Sequence, residues 1–301
     1  MFDFRYHALS LVAVFLALLI GLLLGVAIGD RGLVSSAERQ VRDSLRGDVK
    51  AAQSQTSKLR KQLSDRQRFE ESLYPLLVGG RLSGERIGLV GLGGLPDSTI
   101  GYVRDALKDS GGRLSAVAVV REPVAASEVT AGAPAPVRRR GRRVRTPVVA
   151  PGSPPDKAAF KRFGNLAGVA LVSGGGQIKQ LQRSLLESSS GKLDGLNAVV
   201  LVRADRDESS PDAANTTAFE DGFVNGLETG STQVVGAEQS DTAPSQIGWY
   251  NDRQLTSVDD VDQLAGQAAL VFALAGASGT FGTKDSASAL LPNAPSSAGG
   301  P

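Results

Sequence analysis

Apolar residues follow three successive spacings along this chain, and each predicts a different kind of structure. From Ala8 to Ile28 the run ALSLVAVFLALLIGLLLGVAI contains no charge, and fourteen of its 21 residues are Leu, Ile, Val or Phe. A helix over it spans about 30 Å, the thickness of a bilayer's hydrocarbon core. Arg5 and His7 bound one end, Asp30 and Arg31 the other. Ala27 and Gly29 would suit a cleavage site, but the run exceeds the roughly 7–15 residues of a cleaved signal core. A retained transmembrane anchor over residues 1–32 is the favoured reading. Ala13, Ala17, Gly21 and Gly25 recur every fourth residue on one face, and Gly21 with Gly25 forms GxxxG, a spacing that lets two helix backbones approach. The plainer alternative is that small residues are common in membrane helices.

After Gly32 polar residues dominate, with apolar positions at steps of three and four. Val34, Ala37, Val41, Leu45 and Val49 lead on to Ala52, Thr56, Leu59 and Leu63. This predicts a coiled-coil stalk over residues 33–80, with its seam on Val41, Leu45, Val49, Ala52, Leu59 and Leu63 and a local unwinding at the successive fours around Leu45. Continued strictly, the seam meets Arg66 and Glu70, and Tyr74–Pro75 is expected to end or kink the helix. A single amphipathic helix lying on its own domain is the alternative.

Residues 81–291 alternate short apolar runs with helical spacing, which predicts one α/β domain. Arg86–Leu92 and Leu114–Val120 read as buried strands. Between them lies a helix capped by Asp97 or Ser98, with Ile100, Val103 and Leu107 on its apolar face, so the domain is expected to start with a βαβ unit. Helices are expected through Phe160, Phe163, Leu166, Ala170 and Leu171, through Ile178, Leu181 and Leu185, through Phe219, Phe223 and Leu227, and from Val258 to Leu274. Strands are expected at Ala198–Val202 and Gln233–Gly236. Ala125 to Pro155 lacks apolar periodicity and reads as a disordered insertion, and residues 292–301 as a disordered tail.

Composition narrows the chemistry. Net charge is +2, but six arginines fall between Arg138 and Arg145, so the rest of the chain is net negative. That insertion could meet an acidic lipid, a nucleic acid or a polymer, yet a solvated loop is the favoured reading and no nucleic-acid partner is expected. The chain has no Cys, one His (His7) and one Met (Met1), which excludes thiolate metal sites, Cys nucleophiles and a Ser-His-Asp triad away from the membrane boundary. Gly91-Leu-Gly93-Gly94-Leu-Pro96, with Glu122 after the next strand, has the setting of a dinucleotide fingerprint, but Pro96 stands where the third Gly belongs. Asp259, Asp260 and Asp262 read as a helix cap in preference to a hard-cation site. Asn215-Thr-Thr217 matches a glycosylation acceptor, without a context that gives it weight. No catalytic residue, no cofactor and no metal ligand is assigned. The basic residues flanking the anchor leave its orientation open.

The string RYHALSLVAVFLALLIGLLLG closely resembles the start of the MctB family of mycobacterial copper transport proteins. SVDDVDQLAGQAALVFALAG, followed by GTFG and SALLP, resembles that family's ending. Two departures stand out, the Arg/Pro insertion and Thr280–Phe281, where the family typically has His and Tyr. The resemblance implies a role in copper transport and homeostasis, a channel in the outer membrane, and a domain outside the cytoplasm. The residues resist the channel, because short apolar strands between helices do not make a barrel and copper's preferred thiolate and thioether donors are nearly absent. The expectation is therefore a non-enzymatic, single-pass envelope protein, linked to copper through assembly. Its expected partners are the lipid bilayer, a second copy of itself and other envelope proteins. The alternative is an envelope scaffold without a copper role.

Overall fold

The computed structural model describes residues 4–29, 33–132, 154–174, 183–230 and 232–292. Two compact units emerge, Met1–Arg68 and Phe69–Pro301.

The first unit holds α1, Phe4–Gly29, and most of α2, Leu33–Val78. The span Arg5–Ile28 is long and apolar enough to cross a membrane, and none of it is buried against the protein. Helix α2 does not end at Tyr74–Pro75. It continues to Val78 because tertiary anchoring outweighs the backbone bond that proline cannot make: Tyr74 donates to the carbonyl of Ala106 at 2.8 Å, and Val78 is fully buried. Gly79 and Gly80, the latter at φ +70°, then turn the chain.

The second unit is a mixed α/β domain. Its strands are β1 (Arg86–Leu92), β2 (Arg113–Val120), β3 (Leu186–Gly191), β4 (Ala198–Arg203), β5 (Gln233–Ala237), β6 (Thr256–Val258) and β7 (Thr280–Phe281). They form one open sheet in the order β3-β2-β1-β4-β5-β6-β7, parallel throughout except for β3. Helix α3 (Asp97–Lys108) lies between β1 and β2 in sequence. Helices α4 (Ala126–Gly132) and α5 (Lys157–Ser173) precede β3, and α6 (Ala213–Leu227), α7 (Ile247–Asp252) and α8 (Leu264–Leu274) fill the later crossovers. Alternate residues of each strand serve opposite faces. Val199 and Leu201 pack with α5, α6 and α7, whereas Ala198, Val200 and Val202 pack with α3, α8 and the end of α2.

Four local readings of the sequence are corrected. Helix α3 begins at Asp97 behind Pro96 with no side-chain cap, and the Ser98 hydroxyl meets Gln239 on another loop instead. The start of the expected disordered insertion is ordered: α4 forms at Ala126–Gly132 because Val129 is buried in the core, while residues 133–153 lie outside the described residues. Val258 belongs to strand β6, paired with Ala237 and Phe281, so the last helix starts only at Leu264. Leu114–Val120 is half-buried rather than wholly buried. Ile178 and Leu181 of the second expected helix lie outside the described residues, as do residues 293–301.

Helices α5 and α6 meet backbone to backbone. Gly164 and Gly168 on α5 face Gly222 and Gly226 on α6, and a Cβ built at Gly222 would stand 1.9 Å from the Lys161 carbonyl oxygen. Phe163, Phe219 and Phe223 stack beside this contact, with ring centroids 6.1 and 5.8 Å apart. The contact fixes α6, which carries the central acid of the site described next.

Candidate functional site

The residues singled out from the sequence fall on two exposed faces of the first unit. From Leu9 to Ile28 the Leu, Ile, Val and Phe side chains of α1 are 50–75% exposed, and nothing lies within 4 Å of a Cβ built at Gly21 or Gly25. Ala13 and Ala17 are likewise exposed on the same helix. On α2, Val41, Leu45, Val49, Leu59 and Leu63 are 52–65% exposed and Ala52 is exposed. The side chains of Val34 and Ala37 lie outside the described residues. These positions stand largely open to solvent, and ion pairs such as Arg46–Asp43 at 3.8 Å are too exposed to hold the helix's shape.

The second unit concentrates charge where the sheet changes direction. From β1 the chain steps outward to β2, and it later returns to β4 on the other side of β1, so the carboxyl ends of β1 and β4 flank a topological switch point. Arg203, the last residue of β4, has its side chain only 4% exposed. Its Nε donates to Glu220 Oε1 at 2.8 Å, its Nη1 donates to Gln246 Oε1, and its Nη2 has no hydrogen-bond partner. Arg206 donates through Nη2 to Thr217 Oγ1 at 2.7 Å and pairs with Glu220 Oε2 at 3.2 Å, leaving its Nε and Nη1 buried and unbonded. Glu220, fully buried on α6, also accepts from Trp249 Nε1 at 3.2 Å. Arg203 and Arg253 lie over the Trp249 ring, 5.2 and 3.9 Å from its centroid. Tyr250, fully buried, is bonded through its hydroxyl to the Arg203 amide and the Leu201 carbonyl, which locks the end of β4.

Glu122 completes the group from the end of β2. Its Oε1 is buried without a partner, and burial together with the nearby Glu220 charge pushes its carboxyl up to about 8, against the pull of Arg206 and Arg203. The glycine turn after β1 lies directly beneath. Gly93 takes φ +73°, and a Cβ there would stand 3.3 Å from Glu122 Oε2. Gly91 is required by the turn itself, since a Cβ there would fall 2.5 Å from the Gly94 carbonyl. So the fingerprint glycines build a tight strand–helix turn, with the Glu122 carboxyl close above Gly93.

The acidic trio does not cap α8. Asp259 accepts from the amides of Thr283 and Lys284 at 2.8 and 3.2 Å, and Asp262 accepts from the amide and hydroxyl of Ser240, both at 2.6 Å. Asp260 is fully buried with neither carboxylate oxygen bonded, and burial, then Asp259 and Asp262, push it up to about 7. Asp259 thus ties down the segment at Thr283–Lys284 and Asp262 the loop at Ser240, while the Lys284 Nζ meets Glu238 Oε1 at 2.5 Å. No group of three or more His, Cys, Asp or Glu among the described residues is placed to hold a metal. Asn215 lies in the first turn of α6, where the neighbouring Thr217 hydroxyl serves Arg206. A polar groove of about 630 Å³ runs along the amino ends of β5 and β6, lined by Glu228, Gln233, Asn251 and Thr256 among others. It lies away from the charged cluster and carries none of its chemistry.

The cluster was not legible as a site. Arg203 is simply the first charge after AVVLV, and Glu220 sits beside Phe219 on the helix face expected to be apolar. No fixed spacing links them, because the sheet order alone brings them together. The one available signal is that the chain's single Trp lies between them and Arg253.

The family described as "Copper transport outer membrane protein, MctB" matches residues 1–292. Proteins named copper transporter MctB from Mycobacterium bovis and Mycobacterium tuberculosis are each 25% identical to this chain over 300 residues, covering 91% of it and 92% of the relative. With its apolar N-terminal helix, its long second helix and a match over nearly its whole length, the chain belongs to the MctB family.

Proposed function

We propose that this protein is a single-pass envelope protein that serves copper transport and homeostasis by assembling, rather than by ligating the metal. Residues 1–32 act as the tether, residues 33–80 as a paired coiled-coil stalk, and residues 81–291 as a domain presented outside the cytoplasm. The observation that carries the non-ligating part is the donor set. Copper(I) favours thiolate and thioether and copper(II) favours imidazole, whereas the chain offers no Cys, only Met1 and only His7. The sheet is open, with β3 and β7 at its edges, and its strands of two to eight residues fall short of the roughly 9–11 that a membrane-spanning barrel strand needs. Self-association is supported by the stripe of half-exposed Val and Leu on α2 and by the small-residue face of α1.

Copper tolerance in a strain lacking the protein provides the test. Wild type and His7→Ala are expected to restore tolerance, and the doubly charged Leu45→Glu/Leu59→Glu variant is not. A deletion that leaves tolerance and cellular copper unchanged would remove the copper role. A stable envelope partner recovered without any metal phenotype would favour the second reading, a non-catalytic scaffold, which the same exposed stripe supports.

A further inference from the structure

We propose that the crevice at the carboxyl ends of β1, β2 and β4 is a binding site for a single oxyanion group, a phosphate or a carboxylate, held by the free guanidinium edges of Arg203 and Arg206. Three observations converge there. Arg203 is 5% exposed with Nη2 unbonded, and Arg206 leaves Nε and Nη1 unbonded, so two arginines held on the same Glu220 keep buried cationic donors without acceptors. Buried donors in folded proteins are nearly always satisfied, and an unbonded guanidinium edge is costly. The loop after β4 already sends a substitute: the largely exposed Glu208 carboxylate stands 3.7 Å from Arg203 Nη2, too far for a hydrogen bond but drawn to the position an anion would fill. And the place is the switch point of an open parallel sheet, where the crevice between diverging crossovers receives ligands.

Charge explains why one anion fits. Glu122 faces Glu220 on α6 and Arg203 and Arg206 from the β4–α6 segment. Near neutral pH Glu122 is protonated, so the two arginines and Glu220 leave one positive charge, offset only by the largely exposed Glu208 carboxylate, with the Glu122 hydroxyl as a further donor. Once Glu122 ionises, the cluster is neutral and the crevice repels a second carboxylate. Affinity is therefore expected to fall about tenfold between pH 6.5 and pH 9, one unit above the Glu122 value. This site is separate from the copper reading and does not depend on it.

Trp249, bonded to Glu220, is the chain's only tryptophan, so its fluorescence reports on the crevice. The full chain in detergent micelles is titrated at constant ionic strength with sodium sulfate, a phosphate analogue whose charge does not change over this pH range, and separately with sodium acetate. At least one is expected to give a saturable change beyond sodium chloride, about tenfold weaker at pH 9, and whichever binds identifies the phosphate-like or the carboxylate source. Glu208→Gln should bind more tightly, and Arg206→Gln should lose binding. If Arg206→Gln fails to fold, Glu122→Gln decides, because it should bind equally at both pH values. No saturable response to either anion, undiminished binding in Arg206→Gln, or an unchanged pH dependence in Glu122→Gln would each overturn the site.

Discussion

Gly222→Ala lowers the melting temperature of the α/β domain by about 4–8 °C, while Gly101→Ala raises it by about 2–4 °C. Both glycines are helical, so alanine brings each the same gain of about 1 kcal/mol in helix propensity. What separates them is space. Nothing lies within 4 Å of a Cβ at Gly101, so α3 keeps the whole gain. At Gly222 the added carbon would stand 1.9 Å from the Lys161 carbonyl oxygen and 3.0 Å from the Asn165 amide nitrogen, which are backbone atoms and cannot rotate away. Helices α5 and α6 must separate, exposing the layer of Phe163, Phe219 and Phe223. Overpacking of this kind costs about 3 kcal/mol or more, leaving a net loss of about 2 kcal/mol. Thermal unfolding of the solubilised full chain, followed by Trp249 fluorescence, checks both signs. A neutral or stabilising Gly222→Ala would show that the two helices do not touch.

Glu220→Ala costs about 3 kcal/mol and Glu220→Gln distinctly less. Glu220 accepts from Arg203 and Trp249 and pairs with Arg206, and removing it strands two buried guanidinium groups, a loss that runs to about 3–5 kcal/mol for a broken buried pair. The low end applies because Glu220 is the charge that most opposes ionisation of Glu122. With Glu220 gone, Glu122 ionises more readily and supplies part of the missing negative charge. Glutamine keeps one acceptor for Arg203 Nε but sets an NH2 donor against Trp249 Nε1 and Arg206 Nη2, so it recovers only part of the loss. Denaturant midpoints of the solubilised full chain measure the order, and a Glu220→Ala variant within about 0.5 kcal/mol of wild type would mean that the cluster is not buried as described.

Where the fold was legible, local pattern and tertiary environment agreed. The charge-free run gave α1, and the apolar runs at Arg86, Ala198 and Gln233 gave β1, β4 and β5, because strands covered by helices on both faces must be apolar throughout. Where they disagreed, tertiary contacts decided. Pro75 sits inside α2 because Tyr74 and Val78 are anchored in the core, and Val258 leaves the helical pattern to pair with Ala237. Strand β3, LESSSG, carries no apolar signal because it is an exposed edge held only by β2. GxxxG stands at Gly21–Gly25 in the apolar helix, yet the spacing that brings backbones together within this chain is Gly164–Gly168 against Gly222–Gly226, in segments whose helical pattern is carried by Phe and Leu. The ionic cluster escaped for a related reason. Its members come from three crossovers, and only the order of the sheet makes them neighbours.

The proposed assembly rests on α2 pairing with the same helix of a second copy. The chain has no Cys, so single cysteines are clean probes. Cysteines at Leu45 and Leu59, on the apolar stripe, are expected to form disulfide-linked dimers in native membranes under mild oxidation. Cysteines at Ser54 and Lys61, on the opposite helix face, are expected not to. Equal cross-linking at all four positions, or none at any of them, would contradict a paired stalk.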